Sequence, residues 1–139
     1  MTAHHHKDLI AWQLADAFKR EIFRLVKNSS PASRNLRYHD QIVNAASDVG
    51  KDIVEGFGRK APLEFAKFLD YAVASLAEAE GRLTDGIQLS YFDENDCALA
   101  FRFAKRCFKA SVELKKSQIR YAEQQKRERQ TQRRRKRRI

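Results

Sequence analysis

The sequence predicts an all-α protein: an antiparallel up-down-up-down four-helix bundle with a basic C-terminal tail. Three observations predict it. Apolar residues recur at helical spacing in four separate stretches. Gly and Pro together fill only seven of 139 positions while apolar residues make up 42%, a balance that suits helices rather than a turn-rich β fold. The connections between the stretches are short, as antiparallel neighbours require. A chain of this length forms one domain with a core of its own. The organisation read from it is an N-terminal extension over residues 1–7, a bundle over 8–122 and a low-complexity tail over 123–139.

The first helix is expected from about Leu9 to Lys27, with Asp8 as its cap. Leu14, Ala15, Phe18, Ile22, Leu25 and Val26 share one face at about 100° per residue. Trp12 and Phe23 stand at the edge of that stripe. They either widen an intramolecular face or offer a contact surface to another subunit. His4, His5 and His6 precede the helix and are assigned no function. Residues 28–35 read as a polar connection, because Pro31 cannot continue the preceding helix.

A second helix runs from about Tyr38 to Phe57 on Ile42, Ala45, Ala46, Val49 and Ile53, with Gly56 or Gly58 expected in the left-handed position that ends it. Pro62 fits the first turn of the third helix, where its missing N–H costs nothing. That helix carries Leu63, Phe65, Ala66, Leu69, Ala72, Val73, Leu76, Ala79 and Leu83 and fades between Gly86 and Ser90. Asp93 is the N-cap of the fourth, with Asp96 as its capping-box acid. Its stripe is Leu99, Phe103, Ala104, Cys107, Phe108 and Leu114.

No stretch approaches the roughly 18 apolar residues of a membrane span, and the N-terminus lacks a signal-peptide core, so a soluble cytoplasmic protein is expected. Cys97 and Cys107, the two cysteines, lie about 15 Å apart if one helix holds both. A disulfide needs roughly 4.4–6.8 Å, so two free core thiols follow.

The net charge of +10 is unevenly spread. Residues 1–125 hold 19 Lys and Arg against 17 Asp and Glu, whereas residues 126–139 hold nine against one. A nearly neutral body with such a tail is the footprint of a polyanion partner. Lys126, Arg127, Arg129, Arg133, Arg134, Arg135, Lys136, Arg137 and Arg138 are the tail cations. Alone the tail should fray, since adjacent cations repel; neutralised by phosphates it can extend the fourth helix. In the body, Arg102, Lys105, Arg106 and Lys109 recur by three and four on one helical face and can prolong the same track.

Catalytic arrangements are missing from the sequence: there is no Ser-His-Asp or Cys-His set, no phosphate-binding glycine loop and no placed carboxylate pair. No enzyme activity and no cofactor are expected. Asp48, Asp52 and Glu55 align on one helical stripe, but a carboxylate-bridged metal site needs Glu-x-x-His partners that this chain lacks, so no metal is expected either. Glu55 opposes the helix dipole near its C-terminus, and Arg59, four residues on, is its natural partner.

The run Gln41-Ile42-Val43-Asn44-Ala45-Ala46-Ser47-Asp48-Val49-Gly50-Lys51-Asp52-Ile53-Val54-Glu55-Gly56-Phe57-Gly58-Arg59, followed by Ala72-Val73-Ala74-Ser75-Leu76-Ala77-Glu78-Ala79-Glu80, resembles the four-helix-bundle proteins encoded in intervening sequences of bacterial large-subunit ribosomal RNA genes. That family in turn looks related to the accessory proteins of diversity-generating retroelement reverse transcriptases. The resemblance covers residues 8–120. It implies a non-enzymatic basic protein that handles RNA as a ring-like homopentamer, or alternatively an accessory subunit that docks on a reverse transcriptase and guides template RNA or cDNA. Glu55, Gly56, Gly58 and Arg59 match the family's helix ending, which can present Arg59 and Lys60 to phosphate. Positions 48 and 52, usually Ser and Asn in the family, are Asp48 and Asp52 here. Their charge shifts the expected RNA contact from the second helix to the tail.

Overall fold

Residues 3–138 are described by the computed structural model. They form α1 (Ile10–Asn28), α2 (Ser30–Arg34), α3 (Leu36–Gly58), α4 (Pro62–Gln88) and α5 (Ala98–Arg137), with 3-10 turns at His6–Asp8 and Glu94–Cys97 and no strand among the described residues. The chain is all-α, as its periodicity predicts.

α1, α3 and α4 bury most of the stripe their sequence shows, though Leu63 on α4 is exposed. By contrast, α5 buries Ala100, Ala104, Cys107 and Ser111 and leaves Leu99 and Phe108 of its expected stripe exposed. Phe18, Ile22, Ile42, Ile53, Leu69, Leu76 and Leu83 are fully enclosed, and between them sit Ala15, Ala46, Ala72, Ala79, Ala100 and Ala104. Large side chains facing small ones let the helices approach and interdigitate. Contacts between opposite ends show that neighbours in the core run in opposite directions. Tyr38 near the start of α3 donates to the Arg82 carbonyl near the end of α4 (2.6 Å), while Ser75 in mid-α4 donates to Asp52 on α3 (3.3 Å). Arg24 late in α1 reaches the Asp96 carbonyl before α5, whereas Cys107 within α5 donates its thiol to the Ala11 carbonyl early in α1. Lys115 and Asp70 pair at 2.7 Å across α5 and α4.

Helix ends differ from expectation in four places, one of them the start of α5: Asp93 caps the Glu94–Cys97 turn by accepting from Asn95 N–H, and α5 begins at Ala98 with no side-chain cap. Asp8 accepts from the backbone N–H groups of His4 and His5 and closes the preceding 3-10 turn, so α1 starts at Ile10, with Leu9 at its N-cap and no side-chain cap. Residues 28–35 contain α2: Ser29 accepts from Ala32 N–H, Pro31 occupies a first-turn site, and Ala32 is buried. Pro31 starts a helix here as well as ending one. The left-handed position after α3 belongs to Lys60, with φ 56°, and not to Gly56 or Gly58. Gly56 instead lets α4 come close, for a β-carbon there would lie 2.6 Å from Phe68 Cβ.

The end of α4 is a Schellman motif in which Ser90 takes φ 61°. Tyr91 N–H bonds the Gly86 carbonyl and Ser90 N–H the Ile87 carbonyl. Both cysteines are buried free thiols, and burial pushes each up to about 11. The 40 residues of α5 continue without a break through the cationic segment. Elongating a formed helix by Gln, Lys, Arg and Glu avoids the nucleation cost an isolated tail would meet.

Two glycines on α4 separate packing from propensity. A β-carbon on Gly86 would lie 2.4 Å from the Tyr38 hydroxyl and 2.5 Å from Phe92, whereas one on Gly81 meets nothing within 4 Å. Urea unfolding should show Gly86→Ala destabilised by about 1–3 kcal/mol and Gly81→Ala stabilised by about 0.5–1 kcal/mol.

Candidate nucleic-acid interface

The periodicity of α5 sorts its first two-thirds into two faces. Ala100, Ala104, Cys107 and Ser111 are buried against the bundle. Arg102, Lys105, Arg106 and Lys109 lie on the opposite side and are all exposed. At about 100° per residue, Lys116, Arg120 and Arg127 continue that stripe, with Glu113 and Glu123 as the acids within it. Lys115 is diverted to Asp70 and leaves the track. Tyr121, half-exposed, stands beside the stripe.

From Lys126 to Arg138 every side chain is exposed, so all nine tail cations predicted from sequence face solvent. Among the described residues none of them forms an ion pair with an acid, and the acid of the segment, Glu128, accepts from Gln124 (3.4 Å). Such charges are held by nothing but the helix beneath them and are open to an external anion.

Arg59 and Lys60 sit elsewhere, at the α3–α4 corner. Arg59 donates to Glu55 (3.2 Å), and its guanidinium carbon lies 5.0 Å from the Phe68 ring centre. Phe68 meets Tyr71 edge-on at 5.4 Å, and the Lys67 ammonium lies 5.9 Å from the Tyr71 ring. Lys67, Phe68 and Tyr71 make an aromatic and cationic corner that sequence reasoning passed over. The Lys67–Tyr71 spacing of four was visible, but the Arg59–Phe68 contact crosses a turn and has no spacing to betray it. Because Asp70 pairs with Lys115 and the two helices run oppositely, Pro62 falls beside the segment of α5 that follows Arg120. The corner therefore lies at the end of the bundle from which the cationic part of α5 projects.

Trp12 and Phe23 line the groove between α1 and α3. Trp12 is half-buried, edge-on to His6 at 5.0 Å, with its indole nitrogen 3.5 Å from where a Gly50 β-carbon would stand. Much of its surface is spent inside the chain. Phe23 is 40% exposed, with the Lys19 ammonium 6.0 Å from its ring centre.

Asp48, Asp52 and Glu55 do not converge on a common point. Glu55 holds Arg59, and the half-buried Asp52 accepts from Ser75. Burial raises Asp52 above the usual carboxylate range, with the Ser75 hydrogen bond opposing that shift. The described residues hold no group of three or more His, Cys, Asp or Glu placed to bind a metal, and no described helix is long and apolar enough to cross a membrane.

Residues 7–99 match the family described as 23S rRNA-intervening sequence protein, about two-thirds of the chain. The match spans α1 to α4 and ends at the second residue of α5. Comparison with curated proteins finds no match.

A raised Asp52 means that the folded chain favours the protonated acid. Its contribution is greatest below the unfolded carboxyl value, near 4, and is lost as pH rises through the higher folded value. Asp52→Asn, which keeps an acceptor for Ser75, should raise stability at pH 7 slightly, by less than about 1 kcal/mol because solvent screens this half-exposed group. That gain should vanish near pH 3 in urea unfolding.

Proposed function

Because the chain belongs to the 23S rRNA-intervening sequence protein family, we propose that it is a non-enzymatic RNA-binding protein that contacts the phosphate backbone through α5. The observation that carries this reading is the distribution of cations on that helix. A solvent-facing stripe from Arg102 to Arg127 runs into a terminal segment with nine cations and one acid, all exposed. Lys and Arg contacts to phosphate position a ligand without encoding its bases, so binding should follow charge and shape more than sequence. Arg59 and Lys60 extend the surface at the projecting end of the bundle. Tyr71, 44% exposed beside Lys67, can stack on an unpaired base.

Self-association is part of the proposal, with the homopentamer implied by the family resemblance as the expected form. The exposed rings of Phe23 and Phe108 support a further contact surface on the bundle. Assembly would multiply the terminal charge and raise affinity by avidity.

RNA binding measured across salt concentrations tests the reading. With about six phosphates neutralised, log affinity should fall against log salt with a slope of about −4 to −5. Truncation after Gln125 should flatten that slope and leave the bundle folded. Charge reversal at Arg102, Lys105, Arg106 and Lys109 should weaken binding by about tenfold or more at low salt. Unchanged affinity in both variants would refute the α5 interface. Sedimentation should separately show an oligomer that Phe23→Glu dissociates; a monomeric intact chain would refute self-association.

A further inference from the structure

The two parts of α5 differ in how their charge is arranged. In the body the helix has a buried face and a cationic face. In the terminal segment no such sidedness exists. At about 100° per residue, Arg127, Arg134 and Arg138 prolong the body stripe. Lys126, Arg133 and Arg137 turn to one flank, Arg135 to the other, and Arg129 and Lys136 point away from the stripe. Cations thus ring the helix, and the segment projects about 20 Å beyond Gln125, the last partly buried residue.

That arrangement restricts the ligand. A polyanion lying on one side would neutralise one arc of the ring and leave the remaining cations repelling one another. An anionic lipid surface fits still less well. Residues 126–138 contain only Lys, Arg, Glu, Gln and Thr, so the segment has no apolar face to sink into an interface. The same lack excludes packing as an amphipathic helix in a protein groove. Phosphates must approach from several sides at once, as they do on the two walls of a nucleic-acid groove.

We propose that the terminal turns of α5, residues 126–138, insert as a helix into the groove of base-paired RNA widened by a bulge or internal loop. This inference rests on the RNA-binding reading above and adds the shape of the ligand to it. A helix with side chains is about 10–12 Å across, too wide for the narrow major groove of uninterrupted A-form RNA. Gln130 and Gln132 lie at mid-segment between two groups of cations. Thr131 spends its hydroxyl on the Arg127 carbonyl (3.1 Å), so the arginines of the ring are the side chains that reach base edges, as bidentate donors to guanine, and the glutamines serve as uncharged spacers.

The test separates helical shape from charge in the full-length protein. Gln130→Pro breaks the helix interior at unchanged charge, and Gln130→Ala keeps both charge and helix. Each is measured, with intact protein and the truncation after Gln125, on an RNA duplex of about 20 base pairs carrying an internal bulge. The same duplex without the bulge, the single strand and a DNA duplex serve as further probes. We expect Gln130→Pro to lose about tenfold or more on the bulged RNA, a cost of about 1.4 kcal/mol. Gln130→Ala should stay within about threefold of the intact protein, and the bulged RNA should bind more tightly than the other three probes. Equal affinities for the Pro and Ala variants, with binding lost on truncation, would overturn groove insertion and leave the RNA reading standing. Tighter binding to the DNA duplex, whose major groove is about 12 Å wide, would overturn the RNA occupant. Absence of binding to every probe by intact protein would overturn both.

Discussion

The seating of α5 by a stripe of small side chains is the constraint on which the cationic surface depends. Ala100, Ala104, Cys107 and Ser111 are all buried, and their size lets this helix lie close against α1 and α4. The thiol of Cys107 reaches the Ala11 carbonyl on one side, and Lys115 reaches Asp70 on the other. Those contacts fix the rotation of α5 about its axis. With the rotation fixed, the 3.6-residue period leaves no choice about where Arg102, Lys105, Arg106 and Lys109 point. A bulkier residue in the seat would shift the whole track, not one contact.

Much of this was legible in the sequence, because four stretches of helical periodicity separated by short polar connections admit few arrangements. Features that the sequence concealed have specific causes. Pro31 reads as a stop, yet with Ser29 as cap and buried Ala32 it begins α2. The Gly-x-Gly ending of α3 reads as a left-handed cap, yet Gly56 is used for close approach to Phe68, and Lys60 takes the strained position. Like-charge repulsion suggests a frayed tail, but a helix already 25 residues long needs no nucleation to continue. Contacts across a turn, such as Arg59 over Phe68, are set by packing of two helices and leave no periodic trace.

Family membership bears on the body, since the matched residues end at Leu99, before the cationic stripe begins. The bundle supplies a rigid platform and α5 supplies the charge. Polar strain in the body is modest by comparison: Asp52 is held by Ser75 despite its burial, and both thiols are buried where their raised values keep them protonated and unreactive. The cations of α5 and the rings of Tyr71 and Tyr121 are exposed and open to an external partner.

Amide hydrogen exchange of the intact protein, with and without a bulged RNA duplex, tests the central claim most directly, because it reports where RNA touches without altering a residue. The terminal turns of α5 carry no tertiary contact and should exchange quickly when free. RNA should slow exchange over residues 120–138 and at the α3–α4 corner, leaving the α1–α3 groove unchanged. Slowed exchange confined to α1 and α3, with residues 120–138 unaffected, would contradict that claim.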